Sequence, residues 1–200
     1  MTLADEIASR VSALSDRSAV PLRAIRCEFS KRLRGAAPRD VIALALELMP
    51  EHRFIAYELI FKHPGTAPLL NERMLKRLAG TLASWSDVDL FGVFLAGPAW
   101  REGAINDDVV ARWARSHDRW WRRAALVSTI ATADAKRTLA ICRLLADDRD
   151  DLVVKAMSWA LRALSKHDRR AVAEFVEKTP LAARVVREVR SKLTTGRKNP

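Results

Sequence analysis

The chain has 200 residues, with 35 Lys and Arg against 24 Asp and Glu, a net charge of +11 and 49% hydrophobic residues. That suits one domain or one short repeat array with enough apolar content for a core. With 30% of residues charged and no apolar run near the roughly 18–20 residues that a spanning helix needs, a membrane protein is excluded, and so is a disulfide framework, since Cys27 and Cys142 stand alone.

The charge excess points to a polyanionic partner, nucleic acid first and an anionic membrane surface second. The opening segment MTLADEIASRVSAL has acids and an amphipathic rhythm in place of a basic start and an apolar block. It does not read as a signal peptide, and the chain is expected to be reduced and cytoplasmic.

Seven glycines, eight prolines and an unbroken three-to-four-residue apolar rhythm predict an all-α fold. Thr2 caps a first helix ending near Ser15. Pro21 opens a second, with a basic face of Arg23, Arg26, Lys31 and Arg34, stopped at Gly35. Pro38 opens a third limited by Pro50, and Glu51 to Lys62 forms a fourth, closed by His63, Pro64 and Gly65. Further helices are expected at 71–79, 86–96, 106–116, 118–131, 134–146, 149–165, 168–178 and 181–193. Short connectors force successive helices into antiparallel hairpins. The chain reads as a single domain over 1–195 with a frayed basic tail at 196–200.

The hairpins repeat. The segments EHRFIAYELIFKH, SWSDVDLFGVFLAG, DRWWRRAALVSTIATA and RDDLVVKAMSWALRAL align Ile55, Asp89, Arg123 and Lys155 at intervals of 34, 34 and 32 residues, and a further 32 reaches Arg187. Two-helix units of this period stack into helical solenoids of the HEAT or armadillo type, here expected to be right-handed. Residues four apart share a helix face. One face of the stack therefore collects Trp85 and Asp89, then Arg119 and Arg123, then Asp151, Lys155 and Trp159, with Arg162 a turn further on and Arg184 and Arg187 extending the row. Cations suit phosphates and aromatics suit sugars or bases, so this row reads as the lining of a groove for nucleic acid. A solvated charged face with the tryptophans folded inward is the plainer alternative.

The stretches Trp85-Ser86-Asp87-Val88-Asp89, Trp120-Trp121-Arg122-Arg123-Ala124-Ala125 and Lys155-Ala156-Met157-Ser158-Trp159-Ala160-Leu161-Arg162 resemble the AlkD-type DNA alkylation repair proteins, which are DNA glycosylases built from HEAT-like repeats. The resemblance runs from about residue 50 to residue 193. It implies that Trp85 and Trp159 flank the deoxyribose of a damaged nucleotide and that Asp89 is the carboxylate beside the anomeric carbon. It further implies that Arg123 holds the DNA backbone near the lesion and that Arg162 is the arginine following the second tryptophan; with Arg119, Lys155 and Arg187 of the repeat register, these are the expected DNA-binding residues. The implied activity is excision of N3- and N7-alkylated purines from duplex DNA without base flipping. The implied protein is a monomer with no membrane, metal or other cofactor requirement, working in a bacterial-type cytoplasm beside the nucleoid. Members with more N-terminal helices place an aromatic near the lesion. Phe29 and Tyr57 are the early aromatics considered, and neither is assigned that role.

The chemistry fits these residues. A 7-methylguanine or 3-methyladenine base is already cationic and leaves neutral, so no general acid is needed. The oxocarbenium-like sugar must be stabilised. One carboxylate can do that and also position water, and electron-rich indole faces add to it. Asp87 lies roughly 200° around the helix from Asp89 and serves the helix N-terminus. Trp121 is expected in the core, Trp120 partly packed between repeats, and Trp100 and Trp113 between helices. The four isolated histidines suggest no metal site. The alternative function is a non-catalytic DNA-binding HEAT-repeat module for distorted or branched DNA. A protein-interaction scaffold would give no reason for Trp85, Asp89 and Trp159 to share a groove.

Overall fold

The computed structural model describes residues 1–16 and 18–198, and among these every regular element is helical. The α-helices are α1 (Leu3–Ser12), α2 (Ala19–Arg32), α3 (Pro38–Glu47), α4 (Arg53–Lys62), α5 (Glu72–Ala79), α6 (Trp85–Phe91), α7 (Gly97–Arg101), α8 (Asp107–Ala114), α9 (Arg119–Thr129), α10 (Ala135–Leu144), α11 (Asp151–Leu164), α12 (Arg169–Lys178) and α13 (Ala183–Thr195). A 3₁₀ turn covers Ala67–Leu69, and a π segment covers Gly92–Ala96. Residues 199 and 200 of the expected basic tail lie outside the described residues. Gly196, at φ +74°, closes α13 in the left-handed conformation that glycine adopts without penalty.

Side-chain caps set most helix starts. Thr2 and Asp5 form a reciprocal capping box on α1 (3.1 and 2.8 Å). Asn71, Ser84, Asn106, Asp118, Asp134, Asp150 and Asp168 each accept a backbone N–H in the first turn of α5, α6, α8, α9, α10, α11 and α12. Pro38 is the first residue of α3. Helix α2 begins at Ala19, two residues before Pro21.

The chain divides into two compact units. The first, Met1–Thr81 with Phe94–Ile105, packs α4 against α2 and α3, α1 against α2 and α3, and α7 against the 3₁₀ turn. Ile7, Phe29, Val41, Tyr57, Leu75 and Trp100 are sealed in its core. The Tyr57 hydroxyl donates to the Leu78 carbonyl (2.6 Å). Phe29 and Tyr57 are thus core residues that present no aromatic face to a ligand. The basic face expected on α2 divides: Arg23 and Arg26 turn to the buried Glu58 (3.3 and 2.8 Å), while Lys31 and Arg34 stay exposed.

The second unit, Leu82–Val93 with the chain from Asn106 onward, has two rows. Helices α6, α9, α11 and α13 pack in succession, α8, α10 and α12 pack beside one another, and the hairpins α8–α9, α10–α11 and α12–α13 link the rows. Asp89, Arg123, Lys155 and Arg187, spaced 34, 32 and 32 residues apart, mark the first row, while Ile55 of the same register lies on α4 in the first unit. Phe91, Trp113 and Trp121 close the junction of α6, α8 and α9, with ring centroids 5.2–6.0 Å apart. Trp121, expected in the core, is half-buried in this cluster. Trp120 is also half-buried, with the Arg119 guanidinium 5.1 Å from its ring centre.

The helix expected at 86–96 is interrupted where α6 meets α9. Gly92 lies so close to α9 that a β-carbon there would sit 2.7 Å from Val127 Cγ1 and 2.9 Å from Val127 Cβ. The π segment begins at this residue. Such segments are rare and frequently mark functional sites. Gly92→Ala must push α6 away from the fully buried Val127, and a loss of about 1–3 kcal/mol is expected from overpacking. Urea unfolding checks this, and an unchanged midpoint would show that the close approach is not needed.

Candidate functional site

Ser84 Oγ accepts the Asp87 N–H (3.2 Å) and starts α6 so that Trp85 is its first residue. Asp89 follows one turn later on the same face. Trp85 is 60% exposed, which is high for an indole with no function in water. Asp89 is drawn inward, with 17% of its side chain exposed. Arg123 of α9 grips it with two hydrogen bonds, Nε to Oδ1 (2.9 Å) and Nη2 to Oδ2 (2.8 Å). The Arg123 Nη1 donates to the Leu152 carbonyl in the first turn of α11. One guanidinium therefore fastens α6, α9 and α11 together. Its planar fork matches a carboxylate in a way that a lysine cannot.

Burial pushes the Asp89 carboxyl above the ordinary aspartate value, and the hydrogen bonds and charge of Arg123 pull back without cancelling it. Each carboxylate oxygen has two lone-pair sites, and Arg123 uses one on each. The open edge of Asp89 keeps capacity for a water or a developing cation.

Arg123 itself is 5% exposed. The family resemblance implies an arginine reaching to the DNA backbone. In the structure its Nε, Nη1 and Nη2 are all directed at protein acceptors, and what it holds is Asp89. Arg162 is also drawn in: its Nε donates to Ser158 Oγ (3.2 Å) and lies 3.9 Å from Glu188, and burial lowers its pKa against the pull of Glu188. Ser158 in turn donates to Glu188 (2.6 Å), and Arg184 Nε donates to the other oxygen (3.0 Å). Burial pushes Glu188 up, but those hydrogen bonds, with the charges of Lys198 and Arg184, outweigh it and hold the carboxyl below the usual glutamate range. Sequence reasoning missed this network between α11 and α13, although the Arg184–Glu188 spacing of four residues carries a signal for it.

The remaining cations face outward. Arg119 is exposed and stands 3.5 Å from Asp150. Lys155 pairs with Asp151 one turn before it on α11, and Arg187 lies exposed on α13. Trp159, one turn after Lys155, is half-buried. Among the described residues, no group of three or more His, Cys, Asp or Glu side chains could hold a metal ion.

No curated protein matches the chain. A family model described as DNA alkylation repair enzyme matches residues 20–193, from the start of α2 into α13. With the match covering most of the chain, the protein belongs to the DNA alkylation repair enzyme family, and DNA is its substrate.

Proposed function

We propose that the protein is a DNA glycosylase that hydrolyses the N-glycosidic bond of cationic N3- and N7-alkylated purines in duplex DNA, without drawing the base into a pocket. The observation that carries the reading is Asp89, held rigidly by Arg123 one helical turn from an indole left 60% exposed. A carboxylate fixed in place stabilises developing positive charge without reorganising. Trp85 and Trp159 supply electron-rich faces to the deoxyribose. Arg119, Lys155 and Arg187 meet the phosphates, while Arg123 and Arg162 serve by holding the carboxylate and the second tryptophan's helix. The leaving base is already charged, so the scheme uses no acid, metal or other cofactor. The protein acts as a monomer in the cytoplasm.

A second reading also has an observation behind it. Both Asp89 oxygens are engaged by Arg123, as expected if the pair only braces a non-catalytic DNA-binding surface.

Release of free 7-methylguanine from a duplex carrying that lesion separates the two. The glycosylase releases it, and Trp85→Ala cuts the rate about tenfold, the scale of a desolvated cation–π contact, with no change in melting temperature since the ring is exposed. Tight binding without release would favour the binding module.

A further inference from the structure

A second basic feature lies in the first unit and shares no residue with the site described above. A cavity of about 470 Å³ opens between the C-terminal half of α2 and the end of α4. Arg26, Lys31, Arg34, Lys62 and His63 line it, and no acidic side chain does. Arg26 is neutralised by Glu58 (2.8 Å). Lys31, Arg34 and Lys62 form no ion pair among the described residues, so three exposed cations converge on one concavity without a counter-charge. Crowding like charges costs free energy that a bound anion would offset. The walls also carry unused hydrogen-bonding atoms. Ser30 Oγ and His63 Nδ1 are buried without a partner, while His63 Nε2 is committed to the Ala36 carbonyl (3.1 Å). Buried polar atoms are normally satisfied, and here a ligand's oxygens can satisfy them. Lysine, arginine and hydroxyl groups around an anion-sized space are the chemistry that recognises phosphate.

We propose that this cavity is a phosphate-binding site, and that the phosphate it takes is a backbone phosphodiester of DNA. The phosphate chemistry stands on the cavity alone, and the DNA source rests on the repair function. Such a contact adds affinity and register while carrying no sequence information.

The cavity contains its own reporter. Cys27 is exposed on its wall, whereas Cys142 is buried and its thiol is pushed up to about 12. An uncharged maleimide therefore labels Cys27 selectively, and mass spectrometry gives the rate. An undamaged duplex at saturating concentration is expected to slow labelling at least fivefold. Lys31→Gln/Arg34→Gln, two exposed positions, is expected to abolish most of that protection. It should also lower the slope of log affinity against log salt by about 1–2, with the melting temperature unchanged.

Full-rate labelling while a gel shift shows the duplex bound, or protection that survives the double substitution, overturns the proposal and leaves the glycosylase reading intact. Protection by millimolar inorganic phosphate but not by duplex keeps the phosphate chemistry and overturns the backbone as its source. Absence of protection by either probe overturns both parts. Base release measured on the same preparations reports separately on the Asp89 site.

Discussion

Asp89→Asn lowers release of 7-methylguanine by about 10²–10³-fold at neutral pH, while affinity for undamaged duplex stays within about twofold. The magnitude is that of removing one preorganised electrostatic group from a reacting centre. Asparagine is nearly isosteric and its amide oxygen still accepts one Arg123 hydrogen bond, so α6 keeps its place and the charge is what is lost. The pH profile provides a second reading. Burial raises the Asp89 pKa, and in the proposed reaction the ionised form is the active one. Activity is therefore present above the raised value and falls away as pH drops through it. The acid limb of the wild-type profile lies above the ordinary aspartate value, about 3.9, and the variant lacks that limb. Uncatalysed depurination must be subtracted at each pH. Wild-type rates in Asp89→Asn would mean that the carboxylate is structural.

Arg123→Met destabilises the protein by about 3 kcal/mol, the scale for removing one partner of a buried ion pair. The loss has two parts. Asp89 is left desolvated without its counter-charge, and the Leu152 carbonyl loses its donor. Arg123→Lys recovers little of this, because a single ammonium cannot reach both carboxylate oxygens and the α11 carbonyl in one geometry. With the opposing pull of Arg123 gone, the Asp89 pKa rises further and the acid limb of any residual activity moves to higher pH. Denaturant unfolding and the release profile together check this. A variant as stable as wild type, with an unmoved acid limb, would show that the pair carries neither load.

These two variants also show how far the sequence could be read. The all-α fold was legible because capping residues such as Thr2, Asn71, Asn106 and Asp168 precede amphipathic runs, and because local chemistry sets helix starts. The 34-residue interval brought Asp89 and Arg123 to equivalent positions, and in the structure those two residues touch. What the interval could not tell was the direction of each side chain. A repeat register places residues on one face of a helix row. It does not distinguish an arginine that reaches outward from one that turns sideways to its neighbour, so Arg123 and Arg162 were read as DNA contacts. The choice depends on a partner some thirty residues away, Asp89 for one and Glu188 for the other. The break after α6 had a local signal in Pro98, which disrupts the helical turn before it, whereas the close approach of Gly92 to Val127 is a tertiary contact that the sequence does not show. The α2 cations were noticed, but their division between Glu58 and the cavity depends on how α2 lies on α4.

On the proposed function, Asp89, Trp85 and Trp159 suffice for cationic bases, which leave as neutral molecules, and fail for bases that need a proton. Single-turnover release from two duplexes of identical sequence, one carrying 7-methylguanine and the other hypoxanthine, tests it most directly. Release of 7-methylguanine is expected, with none of hypoxanthine above background. Comparable release of both would require a general acid, and would contradict a site of one carboxylate and two indoles.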